Sequence, residues 1–205
     1  MTMKNKMLIT ILLMLCALGA QSQNEKNQKA FASSYELEYA GDFAKAIGGL
    51  KSIYDEKSYE INLRLGWLNY ENKLYTESIG YYQKAIALMP YSIEAKLGLV
   101  YPASVINNWE QVISQYKKIL EIDPQNTTVN YRMGLIEYNK KNYAGAYRFF
   151  EKVVNLYPFG YDALIMFAWS NYQLEKTREA SVLFNKVLLL SPNDASALEG
   201  LRLLK

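Results

Sequence analysis

The sequence has no histidine and only one cysteine, Cys16, among its 205 residues. Without imidazole side chains, general-base histidine chemistry, catalytic triads and most zinc sites cannot be built. Because Cys16 lies in a segment that we expect to be cleaved off, the mature chain would also lack disulfide and thiol chemistry. The net charge of +3 is small and the charges of both signs are interspersed, so we expect no nucleic-acid partner.

The sequence also lacks the other usual signs of an enzyme. It has no glycine-rich phosphate-binding loop, and its carboxylates are scattered over positions that we expect on solvated helix faces, such as Glu71, Glu77, Glu137 and Glu151. We therefore predict no catalytic residue, no metal site and no cofactor.

Residues 1–22 have the layout of a secretory signal peptide. Lys4 and Lys6 precede an apolar run over residues 7–18, and small residues follow. The run is about a dozen residues, whereas a membrane-spanning helix needs roughly 20. We predict an exported protein, periplasmic or secreted, that keeps no membrane span after cleavage behind Gly19 or Ser22. A lipoprotein is disfavoured, since the bulky Leu15 precedes Cys16.

The rest of the chain repeats with a period of 34 residues. Four of the five prolines follow this spacing, namely Pro90, Pro124, Pro158 and Pro192. Eight residues before each of them stands an aromatic residue, and twelve before stands a small or β-branched one. The aromatic set, which we expect in the core, is Tyr82, Tyr116, Phe150 and Phe184; the other set is Ser78, Val112, Ala146 and Ala180.

Each period predicts two helices. Apolar residues recur at three-to-four spacing, and each proline ends a helix because it lacks the N–H group. Ser92, Asn126 and Asp194 are the predicted N-caps of the next helices. A shorter break within each period falls near residues 72–73, 107–108, 141–142 and 175–176. The fold class is therefore all-α.

This repeat pattern resembles that of the tetratricopeptide repeat family, including its secreted and periplasmic bacterial members. The resemblance rests on Leu65-Gly66 with its counterparts Met133-Gly134 and Phe167-Ala168, and on Tyr75, Trp109 and Tyr143, which open the second helices. It implies a right-handed α-solenoid of five repeats in residues 23–205. The repeats span about 27–58, 59–92, 93–126, 127–160 and 161–193, with a capping helix at 194–205. In the third repeat, Pro102 leaves two alternatives: a kinked helix in register, or a helix start shifted by two residues.

The resemblance also implies a concave face lined by the first helices. One row of equivalent positions holds Tyr35, Trp67, Tyr101, Leu135 and Trp169; a second holds Phe31, Leu63, Leu97, Tyr131 and Ile165; a third holds Tyr70, Ser104, Tyr138 and Tyr172. We predict a groove that binds a protein or peptide segment through Tyr35, Trp67, Tyr70, Tyr101, Tyr131, Tyr138, Trp169 and Tyr172. The alternative is that these rings only pack between repeats.

Three functions follow from these features. The favoured one is a non-catalytic adaptor of the cell envelope that holds an extended or helical partner segment in the groove. The second is a structural subunit of an envelope assembly, with contacts through its convex face or edges. The third uses Trp67 and Trp169 as stacking platforms for a glycan or substrate, with Asn69 and Asn171 nearby.

Overall fold

A computed structural model describes residues 23–205 and shows eleven helices there, with no strand in this range. The predicted signal peptide lies outside the described residues. The helices are α1 (helical residues 23–39), α2 (Phe43–Lys51), α3 (Tyr59–Glu71), α4 (Tyr75–Leu88), α5 (Ile93–Val105), α6 (Trp109–Ile122), α7 (Thr127–Asn139), α8 (Tyr143–Leu156), α9 (Tyr161–Gln173), α10 (Thr177–Leu190) and α11 (Ala195–Leu203). The predicted all-α fold of helix pairs with an additional C-terminal helix is confirmed. None of these helices combines the length and hydrophobicity needed to cross a membrane.

The turn inside each helix pair has a repeating backbone conformation. The residue with positive φ is Gly41 in the first pair, and in the next four pairs it is Lys73, Asn107, Lys141 and Glu175. A left-handed residue ends a helix and sends the chain back along it. Because these positions are those of the predicted breaks, the antiparallel pairing of the helices follows from the local sequence.

The predicted N-caps are confirmed. The side chain of Ser92 accepts a hydrogen bond from the backbone N–H of Ala95, and Asn126 and Asp194 accept equivalent bonds at α7 and α11. Ser58 caps α3 in the same way, whereas Gly160 at the start of α9 has no side chain for this bond. These caps satisfy backbone donors that the first helical turn leaves free.

The register of the third repeat is intact. Helix α5 has the same length as α3 and begins 34 residues after it, with Pro102 inside the helix. Pro102 stands in the last turn and a half, so it interrupts backbone hydrogen bonding only near the end of α5. The shifted alternative is therefore wrong.

The chain forms two compact units that divide within α6. The first unit ends at Val112, and its core holds Leu50, Ile61, Leu65 and Leu68 from α2 and α3. The second unit comprises Ile113–Lys205, and its core is built from residues of α8 to α11.

Aromatic side chains of the second helices fill the spaces between helices, as predicted. Tyr82, Tyr116, Phe150 and Phe184 are all buried. In the first unit, Gly66 and Gly98 both face the Tyr82 ring, and a Cβ on Gly98 would overlap it. In the second unit, Gly134 faces Phe150, where a Cβ would lie 2.5 Å from Cε1 of the ring. The glycines thus make room for the aromatic residues.

Candidate functional site

A cavity of about 780 Å³ opens in the first unit. It is lined by two residues from each of the three first helices of this unit: Phe31 and Tyr35 from α1, Leu63 and Trp67 from α3, and Leu97 and Tyr101 from α5. Residues four positions apart share one face of a helix, so each helix presents its pair to the same space. We call this space the first-unit cavity.

Three aromatic rings form a contact cluster at one side of the first-unit cavity. The ring centroid of Trp67 lies 5.7 Å from that of Tyr70 and 6.5 Å from that of Tyr101. The Tyr70 and Tyr101 centroids are 5.7 Å apart. Burial raises the pKa of Tyr70, and the neighbouring Glu71 adds to this effect. Tyr101 keeps 52% of its surface exposed, so the cluster presents an aromatic face to solvent.

A polar network holds α1 against α3 beside the cavity. The buried Arg64 donates from Nε to the Ser34 hydroxyl at 3.0 Å, and its guanidinium lies 3.9 Å from the Tyr35 ring centroid. Its Nη2 is 2.5 Å from a carboxylate oxygen of Glu38, an ion pair whose angles are not those of a hydrogen bond. The other oxygen of Glu38 accepts a hydrogen bond from the Trp67 indole N–H at 2.5 Å. Glu38 therefore fixes both Arg64 and Trp67.

The cavity also includes residues that sequence reasoning missed. Tyr59 and Glu60 in α3, and Ile93 and Glu94 in α5, line it from the first turns of these helices. The Tyr59 hydroxyl is 2.8 Å from the Ser92 hydroxyl and 3.2 Å from the Glu94 carboxylate. Burial raises the pKa of Tyr59, and the charges of Glu94 and Glu60 raise it further. These positions lie one turn before Leu63 and Leu97, so extending the rows by one turn would have found them.

The rings of the second unit have different surroundings. The Trp169 ring packs edge-to-face on Phe184 at 5.0 Å, and its indole N–H donates to the Ser196 hydroxyl in α11 at 2.7 Å. Tyr131 lies 6.0 Å from the buried Phe150 ring. Both residues therefore pack against the core of this unit.

The other two predicted site residues of the second unit also contact neighbouring rings. Tyr138 packs edge-to-face on Tyr143 at 5.2 Å, and Tyr172 packs edge-to-face on Trp169 at 5.5 Å. Burial raises the pKa of Tyr138, while a hydrogen bond with Gln173 lowers it. Of the eight predicted site residues, the structure thus gathers Tyr35, Trp67, Tyr70 and Tyr101 at or beside one cavity, whereas the second-unit rings pair with adjacent rings.

The two amides noted beside the tryptophans are not available for a ligand. Asn69 and Asn171 are buried, and each donates its side-chain N–H to the carbonyl four residues earlier in its own helix. The stacking-platform alternative therefore loses the polar groups on which it depended.

Comparison with known families identifies two segments of the chain. Two family models described as tetratricopeptide repeat match residues 31–93 and 129–159. The first match contains nine of the thirteen residues that line the first-unit cavity, including all those of α3. No curated protein matches the sequence.

Solved structures share the fold at low sequence identity. A tetratricopeptide repeat protein from Parabacteroides merdae is 19% identical, with a TM-score of 0.72 over 88% of this chain and 72% of that one. The MamA protein is 21% identical, with a TM-score of 0.69 over 84% of this chain and 95% of that one. YrrB, described as a TPR protein with an unusual peptide-binding site, is 14% identical, with a TM-score of 0.68 over 90% and 97%.

At these identities the likeness concerns the fold alone, and it agrees with the repeat spacing, the glycine–aromatic packing and the turn conformations described above. Residues 31–93 and 129–159 match the tetratricopeptide repeat, and the helices of this chain have the fold of solved tetratricopeptide-repeat proteins.

Proposed function

We propose that the protein is a non-catalytic adaptor of the cell envelope that binds an extended or helical segment of another protein in the first-unit cavity. One observation carries this proposal: six apolar or aromatic side chains from three successive first helices line one open space. Its volume of about 780 Å³ lies within the usual range for binding pockets.

The lining suits a partner with apolar anchors. Tyrosine and tryptophan offer large rigid surfaces that lose little side-chain entropy on binding. A helical or extended segment with an apolar residue every three or four positions would place successive anchors against the rings. The peptide-binding site ascribed to YrrB, which shares the fold, supports this mode of action.

The proposed location rests on the signal-peptide pattern of residues 1–22. Expression of the full chain in a bacterial host, followed by fractionation and mass measurement, tests it. We expect a periplasmic product that begins at residue 20 or 23. A full-length product in the cytoplasm would contradict export and leave the binding proposal to be judged separately.

Capture of a partner from an envelope extract tests the binding proposal. We expect residues 23–205 to retain a specific partner, and the variant W67A/Y101A to lose it, because both rings line the cavity. The matched control is Tyr91→Ala, which removes an aromatic ring that is 83% exposed and does not line the cavity. Retention by W67A/Y101A, with folding verified by circular dichroism, would contradict the proposal.

A second function is favoured by a different observation. Apolar side chains are exposed in or beside the turns that follow the second helices: Tyr91, Tyr157, Phe159 and Leu189. Such surfaces suit the permanent contacts of a structural subunit in an envelope assembly. If Tyr91→Ala or Tyr157→Ala abolished capture while W67A/Y101A did not, this second function would replace the first.

A further inference from the structure

The charged groups of the first-unit cavity are not balanced. The cavity is lined by one basic residue, Arg64, and by two acidic residues, Glu60 and Glu94. Arg64 is already engaged, since its guanidinium pairs with Glu38, donates to Ser34 and stacks on Tyr35. The carboxylates of Glu60 and Glu94 are thus the charges that remain for a ligand.

Both carboxylates are accessible and have only hydroxyl partners. Glu60 and Glu94 are exposed residues, and neither forms an ion pair among the described residues. Glu60 accepts a hydrogen bond from the Ser58 hydroxyl at 3.0 Å, and Glu94 accepts one from Tyr59 at 3.2 Å. A carboxylate in the first turn also stabilises its own helix through the helix dipole, an interaction that uses no hydrogen bond of the carboxylate.

In the second unit, the repeat position equivalent to Glu94 holds a neutral residue, Ser196. Ser196 lies 102 residues, or three repeats, after Glu94, and its hydroxyl accepts the indole N–H of Trp169. The equivalent indole of Trp67 donates instead to Glu38. The Glu94 carboxylate therefore does not accept the hydrogen bond of Trp67. It lines the cavity and accepts a hydrogen bond from Tyr59.

We propose that the first-unit cavity selects partner segments in which lysine or arginine stands next to an apolar anchor. The anchor packs on Trp67 and Tyr101, and the cation lies near Glu60 and Glu94. Opposite charges across an interface favour the right partner and disfavour an acidic one. This inference rests on the proposed function and adds to it the charge of the partner.

Selection from a random peptide library tests the inference. Residues 23–205 are immobilised and exposed to displayed peptides of about twelve residues, which is about three helical turns. Retained peptides are sequenced for wild type, for W67A/Y101A, for E60Q/E94Q and for the control E77Q/E110Q. The control makes the same change of charge in the first turns of α4 and α6, outside the cavity.

We expect the wild type and the control to enrich peptides with Lys or Arg beside Trp, Tyr, Phe or Leu. For E60Q/E94Q we expect the apolar enrichment to remain and the basic enrichment to disappear. The best peptide should bind E60Q/E94Q about tenfold more weakly, the effect of two exposed charge pairs. This difference should shrink at high salt.

The other outcomes separate the two proposals. If W67A/Y101A enriches the same peptides as wild type, or if wild type enriches none, the proposed function fails and this inference fails with it. If wild type enriches apolar peptides that are neutral or acidic, only the charge preference is overturned. Equal loss of basic peptides in E60Q/E94Q and E77Q/E110Q would also overturn it, because the effect would then come from net charge.

Discussion

Trp67 in the first unit and Trp169 in the second occupy the same position of the 34-residue repeat, yet their indole groups contact different elements. The Trp67 N–H donates backwards along the chain to Glu38 in α1, and its ring lines an open cavity beside Tyr101. The Trp169 N–H donates forwards to Ser196 in α11, and its ring packs on the buried Phe184. Both rings are partly buried and pack against the core of their own unit, and Trp67 in addition lines the first-unit cavity.

The difference shows that equivalence in a repeat predicts a shared helix face but not a shared role. The neighbouring helix decides the role, because it supplies the hydrogen-bond acceptor that orients the ring. In the first unit that acceptor is a carboxylate on the preceding helix, and in the second it is a hydroxyl on the following one.

The largest expected effect is the difference in stability lost when each of the two tryptophans is replaced by alanine. Trp169→Ala should destabilise the protein by about 3 kcal/mol, because a ring packed on Phe184 is removed and a cavity is left. Trp67→Ala should cost less, about 2 kcal/mol, since its ring also packs on the core but has one side open to the cavity. Urea unfolding followed by far-UV circular dichroism measures both values. Equal losses would show that the two rings have the same packing role.

A smaller difference in stability is expected between replacing a glycine that faces an aromatic ring and replacing one that does not. Gly134→Ala should destabilise the protein by about 2 kcal/mol, because its Cβ would lie 2.5 Å from the Phe150 ring. Gly80→Ala in α4 is the matched control, since nothing lies within 4 Å of its Cβ position. It should stabilise by about 0.5–1 kcal/mol through its better helix propensity. The same urea unfolding experiment measures both, and a loss at both sites would contradict the assigned packing.

The smallest effect on stability at neutral pH is expected at Tyr82, the buried aromatic position of its repeat. Burial raises the pKa of Tyr82 well above its ordinary value, whereas Phe150 and Phe184 at the same repeat position cannot ionise. Burying the neutral Tyr82 side chain stabilises the folded protein fully below about pH 10, the usual pKa of tyrosine. This stabilisation is lost as the pH rises toward the higher pKa of the folded state. Tyr82→Phe should therefore change stability by under about 1 kcal/mol at pH 7 and move alkaline unfolding to higher pH. A circular dichroism titration measures the shift, and an unchanged midpoint would show that the pKa of Tyr82 does not differ between the folded and the unfolded chain.

Much of the fold could be predicted from the sequence because its determinants are local. The prolines, the caps Ser92, Asn126 and Asp194, and the breaks within each period determine where helices begin and end. The register of α5 around Pro102 could not be predicted, since a proline near a helix end is compatible with either register and packing selects one.

The candidate site was predicted only in part. The 34-residue spacing placed Trp67 and Tyr101 on one face, and the cavity contains both. The predicted rows stopped one turn short of Glu60 and Glu94. Arg64 was not indicated because its role depends on Glu38, which the neighbouring helix α1 supplies.

The sequence by itself determined the repeat length, the helix boundaries and the residues that share a helix face, since these depend on backbone preferences within a few positions. The tertiary structure alone decided which aromatic rings line the first-unit cavity and which group accepts the hydrogen bond of each tryptophan. It also decided that Glu38 pairs with Arg64, whereas Glu60 and Glu94 form no ion pair among the described residues. These outcomes depend on the partner that a side chain meets across the next helix, and a repeat period does not specify that partner.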